Sequence, residues 1–140
     1  MTRHKSPSLT TDIFIFDDDL NFILIKRKND PYKDHWALPG GFVEYGETVE
    51  TAAIREAKEE TSIDVELKGL VNVYSNPDRD PRKHTVTIAF IAKGDFSSRK
   101  ADSDAKDIDI FSPEKLDEID LAFDHDKIIE DCLKKAKNGK

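Results

Sequence analysis

The chain has 140 residues, with 22 Lys+Arg against 29 Asp+Glu and a formal net charge of -7. That length suits one domain over 1–140, able to bury a core without disulfide or metal staples. The acidic balance excludes an extended nucleic-acid footprint, a lone cysteine (Cys132) excludes an intrachain disulfide, and no apolar run is long enough to cross a bilayer. The expectation is a cytoplasmic protein with neither a nucleic acid nor a membrane as partner.

Thr11 to Phe16 and Phe22 to Lys28 are rich in β-branched and aromatic residues on either side of a turn at Asp17 to Asn21. Together they predict a β-hairpin. A polar loop from Asn29 to His35 leads to a short extended piece at Trp36-Ala-Leu-Pro. Val49 to Glu60 is composed of good helix formers, with Ala52, Ala53, Ile54 and Ala57 for packing and Thr48 or Glu47 near the cap.

Val65 to Tyr74 and Thr85 to Lys93 read as strands, the second alternating Val86, Ile88 and Phe90 with Thr85, Thr87 and Ala89. Between them Ser75 to Lys83 is a loop dense in turn formers and charge. Ser97 to Lys106 is polar enough for a mobile loop, and Asp107 to Phe111 alternates acidic and apolar residues as an edge strand does. Ser112 and Pro113 mark a helix start. In the tail Ile128, Ile129, Cys132, Leu133 and Ala136 fall at helical spacing, so a last helix packs one face on the core. Strands around a central helix, closed by a terminal one, predict an α/β layered sandwich with a mixed sheet.

Trp36 to Ile63 concentrates the chemistry. Glu56, Glu59 and Glu60 stand at i, i+3 and i+4, so a helix projects all three carboxylates from one face. At about 5 Å, neighbouring pairs repel by roughly 1 kcal/mol in water and about 3 kcal/mol at an effective dielectric near 20. A solvated surface tolerates that, and most acidic helix faces are no more than solvated. A divalent cation would turn the repulsion into coordination, and oxygen-only ligands favour Mg²⁺ or Mn²⁺ over zinc. Pro39-Gly40-Gly41, just ahead of the helix, lets backbone groups approach a ligand closely. Gly46 bends the chain beside Glu47, which Arg55 can hold in a bidentate pair.

These residues resemble the Nudix box: a glycine, five residues, a glutamate, seven residues, then Arg-Glu, an apolar residue, any residue, Glu-Glu, any residue, glycine and an apolar residue. Gly41, Glu47, Arg55, Glu56, Ala57, Glu59, Glu60 and Ile63 fall on those positions in register. Ser62 departs, standing where the family has the glycine that ends the helix. The resemblance implies the Nudix α/β/α sandwich and metal-dependent hydrolysis of a nucleoside diphosphate linked to another moiety. Glu56, Glu59, Glu60 and the Gly40 carbonyl would carry Mg²⁺, with Mn²⁺ as substitute, and Arg55 and Glu47 would be the supporting pair. Glu56 is the first candidate for the base that activates water and Asp107 the second.

Ser75 to His84, with Pro77, resembles a segment of the bacterial and archaeal ADP-ribose pyrophosphatases. Leu121-Ala-Phe-Asp-His125 and Asp104-Ala-Lys-Asp107 resemble the same branch. That branch often has glutamate where Asp107 stands. The implied reaction is ADP-ribose to AMP and ribose 5-phosphate; other Nudix substrates, or an ADP-ribose sensor without activity, are the alternatives. The sensor is disfavoured because every box acid is present and no length is left for an appended DNA-binding module. The resemblance also implies a homodimer. Candidate substrate contacts are Gly41, Arg79, Arg82 and Arg27, with an aromatic ring for adenine, although arginines in exposed loops are ordinarily just solvated. His125 is expected to cap or pin the last helix, and His4, His35 and His84 to be structural.

Overall fold

The computed structural model describes residues 5–100 and 105–138. Two sheets lie between two helices. The first is mixed and four-stranded, in the order β4(Gly40–Phe42), β1(Ser8–Ile15), β6(Thr85–Gly94), β5(Val65–Tyr74). Within it β1 runs parallel to β6 and antiparallel to β4. The second holds β3(Trp36–Ala37), β2(Phe22–Arg27) and β7(Ala105–Phe111) in antiparallel pairs. The helices are α1(Val49–Thr61) and α2(His125–Asn138). The expected sandwich with a mixed sheet is therefore present.

Strand alternation sorts the core into two layers. Ile13, Ile15, Ile23, Phe90 and Ala92 pack with Ala53 and Ala57 of α1. Phe14, Phe16, Phe22, Leu24, Ala89 and Ile91 pack with Ile128, Ile129, Cys132, Leu133 and Ala136 of α2. The periodicity in the tail thus marks a real packing face. Cys132 is buried, and burial pushes its thiol far above the ordinary range, which leaves it inert.

One expectation is corrected. The turn at Asp17 to Asn21 forms, with Asp17 Oδ1 accepting from the amides of Asp19 and Asn21. The strands on either side of it do not make a hairpin, because they meet only in the bridge Phe16 to Phe22 and then enter different sheets. Both are buried on both faces, and each takes its own pairing partners while α1 and α2 cover the two together. A smaller difference lies at Pro113, where the chain makes a 3₁₀ turn over Pro113–Glu118. The loop expected over 97–106 includes a 3₁₀ turn at Phe96–Ser98 and residues 101–104, which lie outside the described residues, as does His4. No helix among the described residues is long and apolar enough to cross a membrane.

Candidate active site

Thr48 caps α1 by accepting from the amide of Thr51 at 3.0 Å, which starts the helix so that its acidic face meets the Gly40-Gly41 strand. At the other end Ser62 stands at φ 64°, ψ 14°, donating its amide to Lys58 O. A serine therefore occupies a left-handed position that the helix stop requires.

Arg55 gathers the box acids. Its Nε and Nη2 donate to the two oxygens of Glu47 at 2.7 and 2.9 Å, the bidentate pair expected from sequence. Nη1 reaches Glu56 at 2.8 Å and Glu59 at 3.1 Å, and Nη2 also reaches the Phe42 carbonyl at 3.1 Å. The hydrogen bond to Arg55 brings the Glu47 carboxyl down to about 2, and the same bond raises the guanidinium further. Glu56 moves the other way: its burial raises the pKa and outweighs the pull of Arg55.

Glu56 and Glu60 border the glycine pair. A Cβ on Gly41 would stand 2.5 Å from Glu56 Cδ, and Glu60 Oε2 accepts from the Gly40 amide at 3.3 Å. The donor set is all oxygen and clusters at one turn, which suits a hard divalent cation. In the conformers shown, Glu56 and Glu59 are turned to Arg55, and among the described residues no three acidic, His or Cys side chains converge on one point.

Beside the turn opens a cleft of about 190 Å³. Gly40, Gly41, Glu60, Arg27, Arg79, Arg82, Phe123, Asp12 and His125 all line it. All the candidate substrate contacts are thus brought together, in different states of engagement. Arg79 has a side chain only 6% exposed and is bound twice to Asp124 at 2.8 Å and to the hydroxyls of Thr85 and Thr87. Arg82 is held by Asp80, and the Arg82 and Arg27 guanidiniums sit 5.5 and 4.9 Å from the Phe123 ring centre. Burial, and then the charge of Arg82, lowers the Arg27 pKa, as expected where two cations face one space.

Asp107 is not brought to the cleft. Ile108 and Ile110 take the core-facing positions of β7, and exposed Asp107 pairs opposite Lys26, with its Oδ1 accepting from the Ile108 amide. Pro77 is exposed on the loop, His84 binds the Ser75 carbonyl, and His35 stacks edge-on with Tyr32. Asp12 and Phe123 escaped the sequence reading. An acid directly ahead of the apolar run Ile13 to Phe16 was the available signal for Asp12. Phe123 lies in the quoted stretch Leu121 to His125 but was not singled out, because what places its ring is a left-handed backbone at φ 53° together with the pairing of Trp36 with Leu121.

The NUDIX domain family model matches residues 7–132. The chain belongs to the Nudix family. This Nudix protein is 51% identical over 125 residues to the ADP-ribose pyrophosphatase of Methanocaldococcus jannaschii, covering 89% of this chain and 72% of that one. It is 33% identical to the ADPR responsive transcriptional repressor NtrR of Acinetobacter baylyi, over 96% of its own length and 56% of the repressor. It thus spans little more than half of that relative. Among solved structures it resembles the NUDIX domain of Shewanella oneidensis NrtR complexed with ADP ribose, at TM-score 0.84 and 27% identity, covering 95% of this chain and 90% of that one. Nudix hydrolases are generally dependent on divalent metals, and the acidic cluster of this Nudix protein has the donor chemistry for one.

Proposed function

We propose that this Nudix hydrolase cleaves ADP-ribose to AMP and ribose 5-phosphate, using Mg²⁺ with Mn²⁺ as a substitute. The observation that carries the reading is the joining of the box acids, through Gly40, Gly41 and Glu60, to a cleft walled by Arg27, Arg82 and Phe123. The 51% identity to an ADP-ribose pyrophosphatase supports the choice of substrate.

Glu56, Glu59, Glu60 and the Gly40 carbonyl would hold the metal, which when bound neutralises phosphate charge and lowers the pKa of a water. Arg55 keeps Glu47 fixed and orients the acidic face. Glu56, as the carboxylate beside the glycine turn, takes the proton of the attacking water as its oxygen bonds to phosphorus. The P–O bond to the other phosphate then breaks, and that phosphate leaves with the electron pair. Arg27 and Arg82 bind the charged diphosphate, and Phe123 offers a flat apolar surface beside them. Glu56 is preferred to Asp107 as the base because it adjoins the glycine turn.

Purified protein with Mg²⁺ should release AMP from ADP-ribose, and Glu59→Gln and Glu60→Gln should each abolish the release with an unchanged melting curve. Turnover of another nucleoside diphosphate derivative in place of ADP-ribose would keep the chemistry and change the substrate. A second reading, ADP-ribose sensing without cleavage, is favoured by the likeness to repressor Nudix domains. Tight binding of ADP-ribose with no AMP released under any divalent metal would establish it.

A further inference from the structure

Phe42 and Phe123 both line the cleft, and they differ in how much of each ring is open. Around Phe123 stand the Arg27 and Arg82 guanidiniums at 4.9 and 5.5 Å and the rings of Tyr32 and His125 at 4.8 and 5.7 Å, measured to the ring centre. Four groups already crowd that ring. Phe42 is 46% exposed, and the Lys83 Nζ, 4.8 Å from its centre, belongs to an exposed, flexible side chain that can swing aside. Phe42 thus offers the cleft an open surface for stacking.

Thr10 pairs with Phe42 across β1 and β4, so a hydroxyl sits beside the ring on the face that lines the cleft. Its role as donor is set through β6. Arg79 Nη1 donates to Thr87 Oγ1 at 2.7 Å, and Thr87 Oγ1 lies 2.6 Å from Thr10 Oγ1. A guanidinium only donates, so the Thr87 oxygen accepts from it. Thr87 is 2% exposed, and the acceptor left for its own hydrogen among the described residues is Thr10 Oγ1. The opposite direction would strand that buried hydrogen. Thr10 therefore accepts from Thr87 and keeps its hydrogen for another partner. Its contact with the Val86 carbonyl is 3.5 Å, beyond the ordinary O–H···O range of about 2.5–3.0 Å, and Thr10 is partly exposed, so the hydrogen can turn to the cleft.

A ligand group at this place must accept a hydrogen bond and suit an aromatic face. That face is negative and repels phosphate, whereas a nucleobase stacks on it and carries ring nitrogens or carbonyl oxygens at its edge. Phe42 is two residues beyond Gly40 in β4, about 7 Å along an extended strand, which is the span of one pentose between a phosphate and its base. We infer that Phe42 and Thr10 form the nucleobase subsite, the ring stacking on the base and the hydroxyl donating to its edge. The inference rests on reading the cleft as a nucleoside diphosphate site. Arg79 acts through Thr87 as a positioning residue that keeps the Thr10 hydroxyl a donor.

Calorimetric titration with AMP, GMP, UMP, ribose 5-phosphate and inorganic pyrophosphate, each with Mg²⁺, tests the subsite. Wild type should bind at least one nucleotide about 10-fold more tightly than ribose 5-phosphate, which has the same phosphate and sugar but no base. Phe42→Ala should weaken the preferred nucleotide about 10- to 100-fold, as for loss of a stacking ring, and Phe42→Tyr should keep it. Thr10→Val should weaken it about 3- to 10-fold, as for loss of a neutral hydrogen bond, and Thr10→Ser should restore it. Pyrophosphate should bind every variant within about twofold of wild type. The wild-type comparison needs no variant to fold: if no nucleotide binds more tightly than ribose 5-phosphate, the inference is overturned. Wild-type affinity for the nucleotide in either Phe42→Ala or Thr10→Val also overturns it, and so does an equal loss for pyrophosphate, which would make these residues supports for the glycine turn. A protein that passes these titrations yet fails to cleave ADP-ribose loses the proposed activity and keeps the subsite.

Discussion

Replacing Gly41 by alanine places a methyl carbon 2.5 Å from Glu56 Cδ and 2.6 Å from each of its carboxylate oxygens. The backbone of Gly41 is not left-handed, so alanine suits it, and the obstructing atoms are the end of a flexible side chain. The fold should accept the change by moving the Glu56 carboxylate about 1 Å, the shortfall against ordinary contact. A catalytic group displaced by about 1 Å costs roughly 100-fold in rate. Gly41→Ala should therefore lower kcat on ADP-ribose by about two orders of magnitude, with a melting temperature within about 2 °C of wild type. Gly40→Ala is the internal control: its Cβ would meet the Thr11 carbonyl, which belongs to backbone and cannot swing aside, so that variant should lose stability first. Steady-state kinetics beside thermal melts tests the pair. Wild-type kcat in a correctly folded Gly41→Ala would refute the placement of Glu56 as the acting carboxylate.

Ser62→Gly should relieve a non-glycine residue at φ 64° and stabilise the protein by about 1 kcal/mol, read as a rise of about 3–5 °C in Tm with activity unchanged. Arg79→Ala should cost about 3 kcal/mol in urea unfolding because it removes a buried guanidinium bound to Asp124, Thr85 and Thr87, and Arg82→Ala should raise KM and also lower stability, because it strands the buried Asp80 carboxylate. Glu47 has its folded pKa depressed to about 2, so its contribution is complete above its ordinary value of 4.5 and is lost as pH falls through about 2. The stability difference between wild type and Glu47→Gln should therefore be level above about pH 5 and close toward pH 2 in acid-unfolding curves. A difference that instead grew with acidification would contradict the Arg55–Glu47 pair.

Much of the chemistry was legible before any coordinates because it is local. Glu56, Glu59 and Glu60 share a face through helical spacing alone, and Arg55 lies within one helix start of Glu47. The strand at Val65–Tyr74 and the face of α2 could likewise be read from period and composition. What could not be read depends on which distant segments meet. The partners of β1 and β2 were hidden because strands buried on both faces carry no alternation to announce their neighbours. Asp107 looked like a second base from its place in the chain, and only the pairing of β7 with β2 showed it facing away from the cleft.

The sequence by itself determined the reaction, since the glycine turn and the acidic helix are continuous in the chain and their spacing sets their geometry. The tertiary structure alone decided which side chains meet at the cleft. Arg27, Arg82, Phe123, Asp12 and His125 come from segments far apart in the chain, and they line one cleft because β1 pairs with β4 while the segment before α2 bonds to β3. Backbone pairing between remote segments leaves no periodic mark in either one, so the residues that line the cleft stay scattered until the sheets close.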